Sequence, residues 1–592
     1  MEGPSKSKED IHRKKINIPK SWSPGMRFQG YNRNDGLYVS GEIKSRAGKA
    51  TGSKRSSYYV ILDQGDKNGD PQEWLDLSTL ENLSVLDDRR DEVLIMYNTD
   101  EIRKAKNKEI EAWVSNKVMT EDPDEGQETL SARWVITKKQ TPTGQEIKAR
   151  LVVRGFEEDT SDLKTDSPTC SKENMRILLT VASSNGWKTR SLDVKSAYLQ
   201  GKGISRLIFI KPPKEFANGM LWRLDKTVYG LCDAARAWYN KVRETLLELG
   251  MQTEYLWGRS LFYWIKDGTL QGILAVHVDD FLYAGEECFK AQVIEKFKVR
   301  FAIGNMSANS FTYLGLRLCS FPDGITIDQI PYAESLEHLP RDTIRGKDNE
   351  LTNKEITQVR AKVGQLNWLS THTRPDIAFE VSDLGSNIAN PAYAHVNRIN
   401  KVIDIVVRNP LQIYFPRLDH TGKWHIICYA DAALAPKDSD VINGRKDDRP
   451  QGAHIIFSKD SSGKMCTIDW RSKRMTLTGK GPLAAELQAM VDASGNAIHI
   501  AHIFKILRGP ESIESVQCFT DSRSLVDNLN STHQLEDRFQ RKDMGILQQR
   551  VEENLCSIQW VKGEKQLADA MTKRGVYTGP LRNAVERKRE CN

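Results

Sequence analysis

Two aspartates stand side by side at Asp279 and Asp280, within GILAVHVDDFLYAG from Gly272 to Gly285. Apolar, largely β-branched residues precede them, and Phe281-Leu282-Tyr283 follows, so the pair marks the tip of a β-hairpin. Acids at the tip of a mostly buried hairpin are costly unless a cation meets them. Carboxylate oxygens are the preferred ligands of Mg²⁺, which makes a divalent ion the natural partner. Taken alone, Asp-Asp is more often an ordinary turn. A third acid, Asp193, lies in RSLDVKSAYLQG, 86 residues before the pair. Leu192-Asp193-Val194 reads as a strand end that puts a carboxylate at the edge of a core. Only the fold can join it to the pair.

Four later acids form a second set. They are Asp431 in YADA, Glu486 in AAELQA, Asp521 in FTDS and Asp569 in LADAMTK. The pattern puts them on a strand, a helix, a strand end and a final helix. Carboxylates from four elements can converge on two metal ions. Any one of them would pass for a helix cap or a solvated acid, but four at such places are hard to read that way.

The positioning elements follow from periodicity. Residues 95–120 read as a helix with Ile102, Ile110, Trp113 and Val114 near one face. ARWVITKK and IKARLVVRGF read as a hairpin carrying Lys138, Lys139, Lys148, Arg150 and Arg154. Such a basic hairpin suits a triphosphate, or an edge guarded against aggregation. Helices are expected at 172–184, from 228 to 249 and at 288–301. Strands are expected at 204–211, 221–224 and 312–318. In the last third, strands at 424–435, 452–458 and 466–475 precede a helix at 482–507. A strand at 515–521, a short helix at 522–529, an extra helix near 540–555, a strand at 557–561 and a helix starting at 567–573 complete it.

Length and composition set the limits. A chain of 592 residues suggests three or four domains. No run approaches 18 apolar residues, so no transmembrane helix is expected, and the polar N-terminus is no secretory signal. The nine cysteines have no C-x-x-C or zinc-finger spacing, which suits a reducing interior. Residues 1–60 carry a net charge of +8 against +7 for the whole chain. That basic end, with a loop from Lys44 to Lys49, suits a polyanion. Residues 1–23 read as a disordered basic tail, and the short strands of 24–90 as a small β-barrel.

ARWVITKK, KARLVVRGF, LDVKSAYLQG, TVYGLCDAARAWY and HVDDFLYAG occur in that order. Together they resemble the successive motifs of a copia-type retrotransposon reverse transcriptase. GQLNWLSTHTRPDIAFEVS, from Gly364 to Ser382, resembles the segment that follows this polymerase in copia-type Pol polyproteins. The element order of the last third is similar to ribonuclease H. The resemblance covers roughly residues 95–575. It implies an α+β and α/β multidomain chain. A right-hand fold of fingers and palm (95–345) and thumb or connection helices (346–418) would precede a ribonuclease H-like domain (419–592).

Much else is implied by the resemblance. Asp193 and Asp279 would be bridging ligands and Asp280 the third acid, with Asp431, Glu486, Asp521 and Asp569 serving the nuclease. Each site would take two Mg²⁺ or Mn²⁺ ions. The Val194 carbonyl would assist, and Tyr198 would stack under the incoming sugar and reject a 2′-hydroxyl. Lys148 and Arg150 would contact the triphosphate, and Gly230 and Arg236 the template and nucleotide. Partners would be an RNA template, a DNA primer, RNA:DNA hybrid, dNTPs and other Pol or Gag products. The location would be intracellular: a cytoplasmic virus-like particle, and the nucleus. No Asp-Ser/Thr-Gly protease signature and no zinc box is found, so the chain reads as the C-terminal part of a Pol polyprotein. It departs from the family at His277, Cys232, Asp233 and Ala235. Asp233 would put an acid near the triphosphate path. These departures motivate an alternative, a weak or domesticated copy that only binds nucleic acid.

Overall fold

The computed structural model describes residues 99–586, apart from 142–143, 255–257, 342–345, 347–348, 387, 435–440, 443–444, 447–448 and 477–480. Before residue 99 it describes the backbone of five strands. The expected tail at 1–23 and residues 47–49 of the basic loop lie outside the described residues, while 44–46 end a strand. The chain forms two compact units. The first holds residues 1–115, 121–154 and 209–222, and the second holds the rest.

In the first unit, the five early strands form one antiparallel sheet. The order is Gln72–Leu75, Tyr58–Leu62, Leu37–Arg46, Arg27–Asn32, Leu80–Leu86. Among the described residues the two outer strands are not paired with each other, so the sheet is open where a barrel was expected. Helix Thr99–Ser115 packs on the hairpin of Ala132–Thr141 and Gly144–Val153. Strand alternation explains the contact: Ala149, Leu151 and Val153 are buried, while Lys148 and Arg150 take the opposite face. Buried Glu109 accepts from Trp113 Nε1 at 3.3 Å and from the Leu151 amide at 3.4 Å. Burial raises its pKa even so.

The second unit is built on two five-stranded sheets. The first runs Leu261–Lys266, Thr269–His277, Asp280–Gly285, Arg190–Val194, Ile303–Ala308. Helix Lys172–Ser184 packs on it and is buried at every residue from Asn174 to Ser184. Its Ser171 cap accepts from the Asn174 amide at 3.0 Å. The second sheet runs Met465–Arg474, Gln451–Lys459, Trp424–Ala433, Ile513–Thr520, Ser557–Trp560. The 27-residue helix Pro482–Arg508 covers it. One continuous hydrophobic core runs from Ile177 and Val181 through Ile327 and Phe415 to Ile455, Ile500 and Met571. The expected boundary at 418/419 falls inside this unit.

Several elements differ from expectation. The helix expected from Val228 begins at Ala234, because Gly230 turns the chain with φ +97°. The strand expected at 204–211 is paired only over Phe209–Ile210. The helix at 288–301 is interrupted by a π turn at Lys290–Ile294. The final helix expected at 567–573 is a 3₁₀ turn, Leu567–Met571. Among the described residues, no helix is long and apolar enough to cross a membrane.

Candidate functional site

The first acid set meets by strand register. Asp193 and Asp280 are direct partners across antiparallel strands, so they share a face of the sheet. Asp279 shares a two-residue turn with Val278, between the paired His277 and Asp280. Its carbonyl accepts from the Val194 amide at 2.9 Å, tying the turn to the strand that carries Asp193. Val278 has φ +57°, an outlier for a β-branched residue. Trp238 Nε1 donates to the Val278 carbonyl at 2.7 Å and holds the turn. Gly304, on the strand flanking Asp193, lies directly against its carboxylate.

After Val194 the chain passes through Ser196, at φ +47°, into the 3₁₀ turn Ala197–Gln200. That turn places Tyr198 against the aromatic ring of Tyr229, edge-on at 5.1 Å between centroids. Gly230 follows Tyr229, so this contact brings the expected Gly230 position beside the same turn. Arg236 Nη1 donates to the Asp166 carbonyl at 2.9 Å and pairs with the Asp166 carboxylate at 2.5 Å. Lys148 and Arg150 belong to the other unit, side by side on one face of their strand.

Asp233 is a correction. It does not stand open on a triphosphate path: Arg206 clasps it with both terminal nitrogens, at 2.8 and 2.9 Å. The same guanidinium holds Glu158. The acid is the partner of a structural arginine, so it gives no ground for weakened nucleotide binding. His277 is accommodated in register opposite Asp280.

The second set is tighter. Asp431 and Asp521 end neighbouring parallel strands, and Glu486 projects from the start of the long helix. One carboxylate oxygen from each lies within 4.8 Å of the others. Burial, then the charges of Asp431 and Asp521, pushes Glu486 up to about 9. Burial also pushes Asp431 up to about 6, although Lys573 and Thr572 oppose it. A dry cluster of carboxylates held this far from its ordinary acidity fits a hard divalent cation with oxygen ligands. Asp569 stands outside the trio, on the 3₁₀ turn, and its charge reaches Asp431.

Three residues of this site were not anticipated. Thr572 Oγ1 donates to Asp431. Lys573 pairs with Asp569 and lies 3.8 Å from Asp431. Gln566 Nε2 donates to the Ala430 carbonyl at 2.9 Å, pinning the 3₁₀ turn to the central strand. The only signal was their place in QLADAMTK, around an acid already singled out.

Residues 117–340 match the model of the family described as reverse transcriptase (RNA-dependent DNA polymerase). The chain is 25% identical over 505 residues to a retrovirus-related Pol polyprotein from transposon RE2 of Arabidopsis thaliana. That match covers 80% of this chain and 33% of the relative. The corresponding polyprotein from transposon RE1 of the same plant is 26% identical, over 66% of this chain and 27% of the relative. The chain is similar to copia-type Pol polyproteins. It spans about a third of the length of the curated relatives it matches. A foamy viral protease-reverse transcriptase solved in complex with double-stranded DNA is similar at 12% identity and a TM-score of 0.43. That match covers 88% of this chain and 93% of that one. The segment that matches the reverse transcriptase family contains both Asp193 and the Asp279–Asp280 turn, and the second acid set follows it in the same compact unit.

Proposed function

We propose that the chain is a reverse transcriptase, an RNA- and DNA-directed DNA polymerase with an attached ribonuclease H that degrades RNA in RNA:DNA hybrids. One observation carries the reading. Acids from two distant segments, Asp193 and the Asp279–Asp280 turn, come together at the ends of two paired inner strands, inside the part that matches the polymerase family. The separate cluster of Asp431, Glu486 and Asp521 supports the nuclease. In this reading residues 95–345 are fingers and palm, 346–418 the thumb or connection, and 419–592 the ribonuclease H-like domain. Residues 24–90 precede them as a small antiparallel β unit.

Each site would take two divalent ions, Mg²⁺ or Mn²⁺, which when bound would supply Lewis acidity and charge neutralisation at phosphorus. The residues of the chain do the positioning. Asp193, Asp279, Asp280 and the Val194 carbonyl present oxygen ligands beside the primer 3′ end. Lys148 and Arg150 take the dNTP triphosphate, Tyr198 lies under its sugar, and Gly230 and Arg236 border the template. At the second site Asp431, Glu486, Asp521 and Asp569 serve RNA hydrolysis. The hybrid is bound through phosphates and read by its shape and 2′-hydroxyls. Other Pol and Gag products are the expected partners, within a cytoplasmic particle and then the nucleus.

Primer extension on an RNA template, with dNTPs and Mg²⁺ at low salt, tests the polymerase. Wild type should exceed Asp279→Asn by at least about a thousandfold, roughly 4 kcal/mol in transition-state stabilisation. Glu486→Gln should abolish hybrid cleavage and spare extension. Wild-type incorporation no higher than that of Asp279→Asn would end the polymerase reading.

A further inference from the structure

Arg176 carries a full charge into the middle of the second unit. Its relative exposure is 0%, on a helix buried on all sides. A buried guanidinium needs partners for its donors. Nε has none among the described residues, and the groups that meet Nη1 and Nη2 lie far along the chain. Nη2 donates to the carbonyls of Thr371, at 2.8 Å, and His372, at 3.2 Å, at the end of helix Asn353–His372. Nη1 donates to the Ile468 carbonyl at 3.4 Å and lies 3.8 Å from Asp469. The guanidinium plane stacks on Trp470, 3.5 Å from the ring centroid. Trp470 Nε1 in turn donates to the Ser370 carbonyl at 2.8 Å. One side chain thus joins its own helix to two elements that lie 195 and 292 residues away in the sequence.

Both ends of this joint lead to an acid set. The Cys170 amide, just before the helix cap, donates to the Val276 carbonyl at 2.8 Å. Val276 lies on the hairpin that ends in Asp279 and Asp280. At the other end, two residues beyond Trp470, Ser472 Oγ donates to the Met571 carbonyl at 2.6 Å. Met571 closes the 3₁₀ turn that carries Asp569. The path from one acid set to the other therefore runs through a helix, a guanidinium stack and a strand, with no flexible linker in it.

We propose that Arg176 is a positioning residue that fixes the spacing between the two sites, so that the RNA strand is cut at a set distance from the primer 3′ end. This rests on the polymerase and nuclease reading above. Arg176 touches neither substrate, and it acts by docking the sheet of the second acid set against the helix behind the first. Asp469, which also meets His454 at 3.0 Å, and Trp470 are its seat.

The test uses the full chain on a primer annealed to a labelled RNA template, mapping cuts relative to the primer end. Wild type should give one dominant cut. In Arg176→Met the share of cuts at that position should fall at least threefold and spread to neighbours, while total cleavage of a blunt hybrid and primer extension stay within about threefold of wild type. Arg176→Lys should fall between the two. Trp470→Phe keeps the ring but loses the bond to Ser370, so it should broaden the cut pattern mildly and decides the matter if Arg176→Met does not fold. Spin labels at exposed Val299 and Phe539 add a readout independent of catalysis, since their distance distribution should broaden in Arg176→Met. If wild type is catalytically inert but the distribution broadens, the docking role stands and the enzymatic reading falls. Unchanged cut position and unchanged distribution in folded variants would overturn the proposal.

Discussion

Gly304 supports Asp193 by having no side chain: a Cβ at 304 would lie 2.3 Å from Asp193 Oδ2. Real contacts of that kind are not this short, so the carboxylate would have to swing away. A carboxylate is the far end of a mobile side chain, so the fold should tolerate the change while the site does not. Gly304→Ala should keep its melting temperature within about 1 °C of wild type, a shift of about 1 kcal/mol or less. Primer extension should fall by at least about a hundredfold, near 2.7 kcal/mol, with hybrid cleavage unchanged. Normal extension by a folded Gly304→Ala protein would show that Asp193 does not need its present rotamer.

Val278 bears the strain of the turn that presents Asp279. A non-glycine residue held in the left-handed region costs roughly 1–3 kcal/mol and persists only where its surroundings enforce it. Here the Trp238 indole and the Val194 amide enforce it. In Val278→Gly, relief of strain and the freer unfolded chain oppose each other, so stability should move by no more than about 1 kcal/mol. The loosened turn should lower single-turnover extension by about tenfold, which is about 1.4 kcal/mol. Urea midpoints and rapid-quench rates on the same preparations check both. An unchanged rate would mean that the strain has no part in placing Asp279.

The acids were legible in the sequence because each follows or interrupts an apolar, element-forming run, as in LDV, HVDDF, YADA and FTDS. A carboxylate at the end of a buried strand is informative whatever surrounds it. What surrounds it was not legible. Gly304 could be noticed only as a glycine in a strand, and the carboxylate it faces is 111 positions away in the chain. Asp233 was misread because its partner, Arg206, lies 27 residues upstream and nothing local announces the clasp. The late start of the helix after Gly230 and the 3₁₀ form of 567–571 were hidden for a related reason. Backbone turns and tertiary pins such as Gln566 to Ala430 overrode a helix-like pattern. Arg176 lies on the helix expected at 172–184, and nothing local announces the distant strand that covers it.

Two buried carboxylates predict how stability depends on acid. Asp376 receives Arg374 Nε at 2.8 Å, Arg374 Nη2 at 2.9 Å and Arg582 Nη1 at 2.8 Å. Asp383 receives Arg398, Arg574 and Arg474 at 2.7, 2.8 and 3.1 Å. Burial alone would raise both, yet the arginines hold both below the usual carboxylate value of 3.8. A depressed folded pKa gives stability that is complete above the unfolded value and lost as pH falls through the folded one. The denaturation midpoint should therefore be insensitive to these groups from pH 7 to about 5 and drop steeply below about pH 4. Asp376→Asn leaves Arg374 buried without its counter-charge and should cost about 3–5 kcal/mol at pH 7. Its loss relative to wild type should shrink as the pH is lowered. A pH-independent difference would place the cost in packing.

Tyr198 offers the sharpest test of substrate choice. It follows Asp193 through a left-handed Ser196 and a 3₁₀ turn, and its ring is braced edge-on by Tyr229. A braced ring can refuse a 2′-hydroxyl by shape, because it cannot turn aside without breaking that contact. Such refusal acts on the transition state as well as on binding, so it appears in kcat/KM. Tyr198→Ala should raise the kcat/KM of rCTP relative to dCTP at least tenfold on one primed template, about 1.4 kcal/mol of lost discrimination. Tyr198→Phe keeps the ring and should leave the ratio near wild type. Tyr229→Ala removes the brace and should give an intermediate ratio, which a simple packing role for Tyr198 would not produce. If Tyr198→Ala is folded and active with an unchanged ratio, Tyr198 is a core residue and the sugar is selected elsewhere.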